Sequence, residues 1–396
     1  MKIVKEFILR EIAGECVLVP TGATSQEFNG MITISDTAKF IWENIEKVDG
    51  LEEMIQMVLD TYEIDEETAR RDTIAFVGAL VENGFIECTR EDGTWQNESI
   101  TRLYRIGHTE IEITAPLSMK SPRNLEKFRI GQAKRPDDEV IHYQVEMTEN
   151  LDEIKEDLLG KKTGRVIYRD NLTVFQTSGG ECRFINFLGM DWHYAVSSQE
   201  GVNQYHVWFV PEVAEMLDQD TVYLAAFSLE KQAIKDHSMI LHSAYMCYED
   251  TAVLFSAPSE TGKSTQAGLW EKYRGTWTVN GDRSLLIREE DGWYANGWPV
   301  CGSSEICNNK SYPVRAIVML SQAKENRISR LKGLEALRKV MEQITINAWN
   351  SEFQIQAMDE LEILLKEVPV YHLECDISED AVRCLEDVLA GGRGEE

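Results

Sequence analysis

Ala252-Val253-Leu254-Phe255-Ser256-Ala257-Pro258-Ser259-Glu260-Thr261-Gly262-Lys263-Ser264-Thr265 decides how the second half of this chain is read. The first four residues are a short apolar run suited to a buried strand, and residues 265–273 read as a helix. Between them lies a loop of the form A-x-x-x-x-G-K-S. Strand, glycine-bearing loop and helix in that order make a phosphate-binding P-loop. Small residues let successive backbone N–H groups curl round an anion, and the helix N-terminus adds its positive dipole. Ala257, Pro258, Ser259, Glu260, Thr261, Gly262, Lys263, Ser264 and Thr265 are therefore the expected nucleotide contacts. Lys263 is placed to reach the β- and γ-phosphates, and the Ser264 hydroxyl to ligate Mg²⁺.

Three residues outside the loop are candidates for the chemistry. Asp282 follows Lys263 by 19 residues, within Thr276-Trp277-Thr278-Val279-Asn280-Gly281-Asp282-Arg283. A helix and a turn use up that interval, so the carboxylate can lie at the end or edge of the next strand and face the loop. There it would bind Mg²⁺ or polarise a nucleophile. His242 is expected to end the strand Ile240-Leu241-His242, just before the strand at 251–255, where it can assist deprotonation of an acceptor or bind the γ-phosphate. Glu305, after Cys301-Gly302-Ser303-Ser304, is a candidate second metal carboxylate. The expected catalytic set is Asp282, His242 and Lys263, and the expected metal set is Ser264, Asp282 and Glu305.

Composition narrows the partners. With 396 residues the chain has length for roughly two to three domains. Lys+Arg 40 against Asp+Glu 68 leaves a formal charge of −28, a surface that repels phosphate backbones and argues against nucleic acid as a partner. No apolar run has the length a membrane span needs, and the opening Met1-Lys2-Ile3-Val4-Lys5-Glu6 lacks a secretory core. Eight cysteines without a C-x-x-C pair read as reduced thiols, so a cytoplasmic location is expected.

The first hundred residues form a distinct module. Two strands flank Gly14, a third covers Gly30-Met31-Ile32-Thr33-Ile34, and three helices follow. Ser35 caps the first, whose Ala38, Ile41, Trp42 and Ile45 share a face. Leu51, Ile55, Val58, Leu59 and Tyr62 line the second. The third runs from Asp65, with Ala69, Phe76, Val77 and Leu80, to Asn83-Gly84. That pattern is winged-helix-like, but residues 1–99 hold 8 Lys/Arg against 21 Asp/Glu, which disfavours DNA binding and a role as transcriptional regulator. Residues 88–99 read as a linker. Beyond them strands are expected at 111–113, 140–145, 166–168, 174–176 and 206–210, and a helix at 222–236.

Residues 1–98 resemble the PqqD family of peptide chaperones. The resemblance rests on Ile34-Ser35-Asp36-Thr37-Ala38-Lys39-Phe40-Ile41-Trp42-Glu43, Tyr62-Glu63-Ile64-Asp65, Asp72 and Leu80-Val81-Glu82-Asn83-Gly84-Phe85-Ile86. It implies a ribosomally made precursor peptide as partner, bound as an added strand beside a helix. Residues 100–390 resemble the HPr kinase and phosphoenolpyruvate-carboxykinase-like group. Here the carrying residues are Ile240-Leu241-His242-Ser243, the P-loop, Asn280-Gly281-Asp282-Arg283, Gly297-Trp298-Pro299-Val300-Cys301-Gly302-Ser303-Ser304 and 313–320.

The expected architecture is therefore α+β and multidomain. It comprises a PqqD-like module over 1–98 and a P-loop α/β domain over 100–390, whose 100–235 part is β-rich and whose core is 236–390. The second resemblance implies ATP and Mg²⁺, phosphorylation of a Ser or Thr hydroxyl, and compatibility with a homo-oligomer. That family often shows two adjacent acids where this chain has Gly281-Asp282. The departure motivates an alternative, a nucleotide-gated peptide chaperone without phosphotransfer.

Overall fold

A computed structural model describes the chain except for residues 13, 23, 28–30, 49, 88–98, 118, 120, 160–164, 170–171, 178–179, 186–193, 200, 212, 214–226 and 392–396. The linker expected before Ser99, the start of the helix expected at 222 and the start of the strand expected at Gly30 lie outside the described residues. Two compact units emerge. The first is Met1–Arg102 with Ile113–Ser121 and Gln144–Met147, and the second is Leu103–Glu112, Pro122–Tyr143 and Thr148–Glu396.

In the first unit β1 (Lys2–Ile3) pairs with β5 (Ile86–Glu87), and β2 (Phe7–Ile12), β3 (Glu15–Pro20) and β4 (Ile32–Ile34) form an antiparallel sheet in that order. Gly14 makes the β2–β3 turn at φ +86°, a left-handed value that favours glycine. After the short α1 (Thr24–Glu27) come α2 (Asp36–Asn44), α3 (Leu51–Thr61) and α4 (Glu66–Glu82). Their helical spacing buries Ala38, Ile41 and Trp42, then Leu51, Ile55 and Val58, then Ala69 and Val77, in one core with Leu18. Asp65 caps α4, and Gly84 follows its end at φ +64°.

Ser35 caps α2 by accepting the Ala38 N–H at 3.2 Å. Ser35→Ala is expected to cost about 1 kcal/mol, measured by chemical denaturation. A change indistinguishable from zero would remove the cap from the stability of this unit.

Three strands supply residues to both units: β6 (Ser99–Ile106), β7 (Thr109–Pro116) and the next strand in the chain, β8 (Ile141–Met147). Then follow α5 (Leu151–Leu159) and an antiparallel meander of β9 (Arg165–Arg169), β10 (Leu172–Gln176), β11 (Gly180–Ile185), β12 (Tyr194–Gln199) and β13 (Gln204–Phe209). On β11, Arg183 is buried. It donates to Glu181 at 2.8 Å and Glu230 at 2.8 Å, and its guanidinium lies 5.0 Å from the Trp349 ring centroid. Lys231 also bonds Glu181, at 2.5 Å.

The P-loop part of the second unit begins with α6 (Leu229–Lys235), β14 (Ser238–Tyr248), β15 (Thr251–Ser256), α7 (Lys263–Arg274), β16 (Trp277–Asn280), β17 (Arg283–Glu289) and β18 (Gly292–Asn296). It ends with β19 (Ser311–Gln322), β20 (Arg327–Leu331), α8 (Gly333–Met341), α9 (Ser351–Glu367), β21 (Val370–Cys375) and α10 (Glu379–Gly391). β15, β19 and β21 run parallel, and β15 is buried on both faces as parallel strands usually are. Ala252 and Leu254 join a core with Ala336, Phe353 and Leu361 of α8 and α9, whereas Val253 and Phe255 pack with Trp270 of α7 and Leu385 of α10. The first half of β14 pairs with β17 and its second half with both β15 and β16. Among the described residues no helix is long and apolar enough to cross a membrane.

Candidate functional site

The loop after β15 is shaped by two left-handed residues. Gly262, at φ +112°, stands at the N-terminal cap of α7, and Glu260 adopts φ +63°. Because Gly262 takes the capping position, α7 starts at Lys263, two residues earlier than the sequence suggests. Ala257 is fully buried, while Pro258, Ser259 and Glu260 are exposed. Gln322 on β19 donates to the Glu260 and Thr261 carbonyls at 3.5 and 3.4 Å, tying the loop to the neighbouring parallel strand.

Lys263 is buried inside the loop, its Nζ donating to the Ala257 carbonyl at 3.0 Å and the Pro258 carbonyl at 3.3 Å. Burial lowers its amine below the usual lysine value and Arg283 adds to the effect, with Asp282 opposing. Ser264 is exposed on the first turn of α7 and donates to the Gly281 carbonyl at 3.3 Å, so the helix start touches the turn that carries Asp282.

Asp282 and His242 come together. His242 Nε2 lies 3.3 Å from Asp282 Oδ1, and Arg283 Nε lies 3.5 Å from Asp282 Oδ2. β14 makes the meeting possible: it runs on to Tyr248, so His242 lies mid-strand and not at the strand end expected from sequence. His242 pairs opposite Arg283 in the β14–β17 ladder, the Ser243 N–H donates to the Asp282 carbonyl at 2.9 Å, and Ser243 pairs opposite Ser256, the residue before the loop. Burial pushes the Asp282 carboxyl up. The His242 hydrogen bond and the charges of Arg283, His242 and Lys263 outweigh that, leaving it below the ordinary carboxylate range.

The absence of a second acid at 281 has a spatial counterpart. A Cβ on Gly281 would lie 2.0 Å from Ser304 Oγ and 2.3 Å from Ser304 Cβ, so the turn Gly302–Ser304 fills that space. Gly302, at φ +55°, faces the Asp282 carboxylate. Glu305 is exposed with φ +55°, and among the described residues no hydrogen bond or ion pair ties it to Asp282. No group of three or more His, Cys, Asp or Glu among the described residues is arranged around a metal ion. One hydroxyl and one carboxylate still suit Mg²⁺, which keeps several waters and takes its other ligands from substrate phosphates. The described cysteines are free thiols.

Two residues were not singled out from sequence. Gln322 leaves no local trace. Asn280, fully buried, accepts the N–H groups of Asp282 and Arg283, and an asparagine two residues before a turn's aspartate is the sequence signal for that bond.

Comparison with known proteins gives matches to both parts of the chain. Residues 15–86 match PqqD, coenzyme PQQ synthesis protein D. Residues 212–390 match the SynChlorMet cassette protein ScmC. Among solved structures, the Hpr(Ser) kinase/phosphatase from Coxiella burnetii aligns at 11% identity over 39% of this chain and 99% of its own, with a TM-score of 0.24. No curated protein matches. The chain thus joins a PqqD-like segment to a segment similar to ScmC, the latter carrying the strand, loop and helix of a P-loop.

Proposed function

We propose that the second unit transfers the terminal phosphoryl group of ATP to a Ser or Thr hydroxyl of a precursor peptide captured by the first. The carrying observation is the convergence of Lys263, Ser264, Asp282 and His242 where the middle of β14 meets the end of β15 and the start of β17. Lys263 exchanges its two loop carbonyls for phosphate oxygens, which are better acceptors for a desolvated ammonium. Ser264 and Asp282 would hold Mg²⁺, which when bound would neutralise the charge that develops on the transferred group. His242 shares a hydrogen bond with Asp282 and takes the acceptor proton.

The first unit offers the capture site. β4 is the outer strand of its sheet. A groove of about 510 Å³ beside it is lined by Ile32, Ile34, Ala38, Ala75, Phe76 and Ala79, and suits an extended peptide added as a further strand. Tethering peptide and active site in one chain raises the effective concentration to about millimolar, so weak affinity at the catalytic unit suffices.

The test is transfer of labelled phosphate from ATP to peptides encoded beside this gene. Binding of ATP and peptide without transfer to any of them would favour the second reading, a nucleotide-gated chaperone. Ser304 over Gly281, which leaves a single carboxylate at the site, supports that alternative.

A further inference from the structure

We infer that Asn280 is the positioning residue of this site and acts on metal binding through Asp282; the inference rests on the nucleotide reading above. Its side chain is 0% exposed. Oδ1 accepts from the Asp282 N–H at 2.9 Å and the Arg283 N–H at 3.0 Å, and Nδ2 donates to the Trp298 carbonyl at 2.6 Å and the Val300 carbonyl at 3.1 Å. Two acceptor lone pairs and two donor hydrogens are all an amide has, so every one is used.

One side chain therefore fixes two segments. On one side is the turn that carries Asp282. On the other is the 298–300 stretch, which leads directly into the Gly302–Ser304 turn. That turn comes back against the same carboxylate. A Cβ on Gly302 would lie 3.1 Å from Asp282 Cγ and 3.3 Å from Oδ1, and Ser304 covers Gly281. Asp282 is thus clamped between a backbone held by Asn280 and a turn held by Asn280. The loop that cradles phosphates has tethers of its own, Lys263 and Gln322, which Asn280 does not touch, although Ser264 at the helix start bonds the Gly281 carbonyl.

This separation distinguishes positioning from general structural support. A support role would weaken ATP binding with and without metal alike. A positioning role removes only the gain in affinity that metal confers. The measurement is ATP affinity of the full chain by calorimetry, in EDTA and in Mg²⁺. For Asn280→Ala the metal-free affinity is expected to stay within about twofold of wild type while the Mg²⁺-dependent gain falls about tenfold to a hundredfold, the usual cost of losing a group that orients a metal ligand.

A second pair of variants reaches the same place without touching Asn280. Gly281→Ala drives a methyl into Ser304 and is expected to lose the Mg²⁺ gain, and adding Ser304→Gly removes both clashing atoms and restores it. If Asn280→Ala does not fold, this pair decides the matter. A Mg²⁺ gain that survives Asn280→Ala, or a Gly281→Ala loss that Ser304→Gly fails to restore, overturns the inference. Wild-type protein that binds ATP with no Mg²⁺ gain overturns it and leaves the P-loop reading standing, whereas no ATP binding overturns both.

Discussion

Lys263→Met is expected to lower phosphoryl transfer by about a hundredfold to a thousandfold, the range seen when one preorganised charge-stabilising donor is removed, while the thermal midpoint of the chain without nucleotide holds or rises. The two halves of this result have one cause. The ammonium is buried against the Ala257 and Pro258 carbonyls, and that desolvation holds its folded pKa below the unfolded value. A lysine shifted down destabilises the fold wherever it is charged, so removing it relieves a penalty. The sign fixes the pH window. The relief is complete below the folded pKa and fades as pH rises toward the unfolded value of about 10.4. Scanning calorimetry beside a labelled-ATP assay reads both halves. A variant that transfers phosphate like wild type would remove Lys263 from the chemistry, and one that melts well below wild type would show that the amine supports the loop instead of waiting for phosphate.

The largest effect on stability is expected at Arg183, outside the site. Arg183→Met leaves Glu230 without the guanidinium bonded to it and Glu181 with Lys231 alone in a largely buried setting, and removing one member of such a group costs about 3–5 kcal/mol. Burial raises the Glu181 carboxyl, but Arg183 and Lys231 outweigh it and hold the group below its ordinary range. A carboxyl depressed by folding stabilises above its unfolded pKa, and that contribution disappears as pH falls through the folded pKa. In Arg183→Met that depression is reduced, so the stability Glu181 loses on acidification shrinks and the deficit of the variant is smaller at acid than at neutral pH. Denaturation midpoints at neutral and acid pH test this. A neutral-pH loss under about 1 kcal/mol would place the cluster with exposed ion pairs that contribute little.

Much of this was legible in the sequence wherever one local rule sufficed. Ser35, Asp65 and Gly84 announce helix ends by the hydrogen bonds and backbone angles their types favour, and residues 252–265 announce the phosphate loop. α5 carried such signals too. Asn150 accepts the Asp152 N–H, and Leu151, Ile154 and Leu158 are spaced for one face, but the surrounding strand-rich pattern masks them. β11 and β12 were not expected from sequence, since short strands with mixed polarity resemble loops until their neighbours are known. What could not be read locally is contact between distant segments. Nothing in Gly281 or Ser304 alone says that 23 positions later a hydroxyl will occupy the space over the glycine. Likewise β14 reads as one strand, and its exchange of partners halfway along is decided by β15 and β17 together.

That exchange constrains how the site can move. His242 and Ser243 sit where β14 changes partner, so the phosphate loop and the Asp282 turn are bolted to consecutive residues of one rail. A hinge that swung them apart would have to unzip ladder hydrogen bonds within that rail. Any movement that admits substrate is therefore expected in the residues flanking it, the loop tip at 258–262 and the cover at 302–305, and not in the ladder itself.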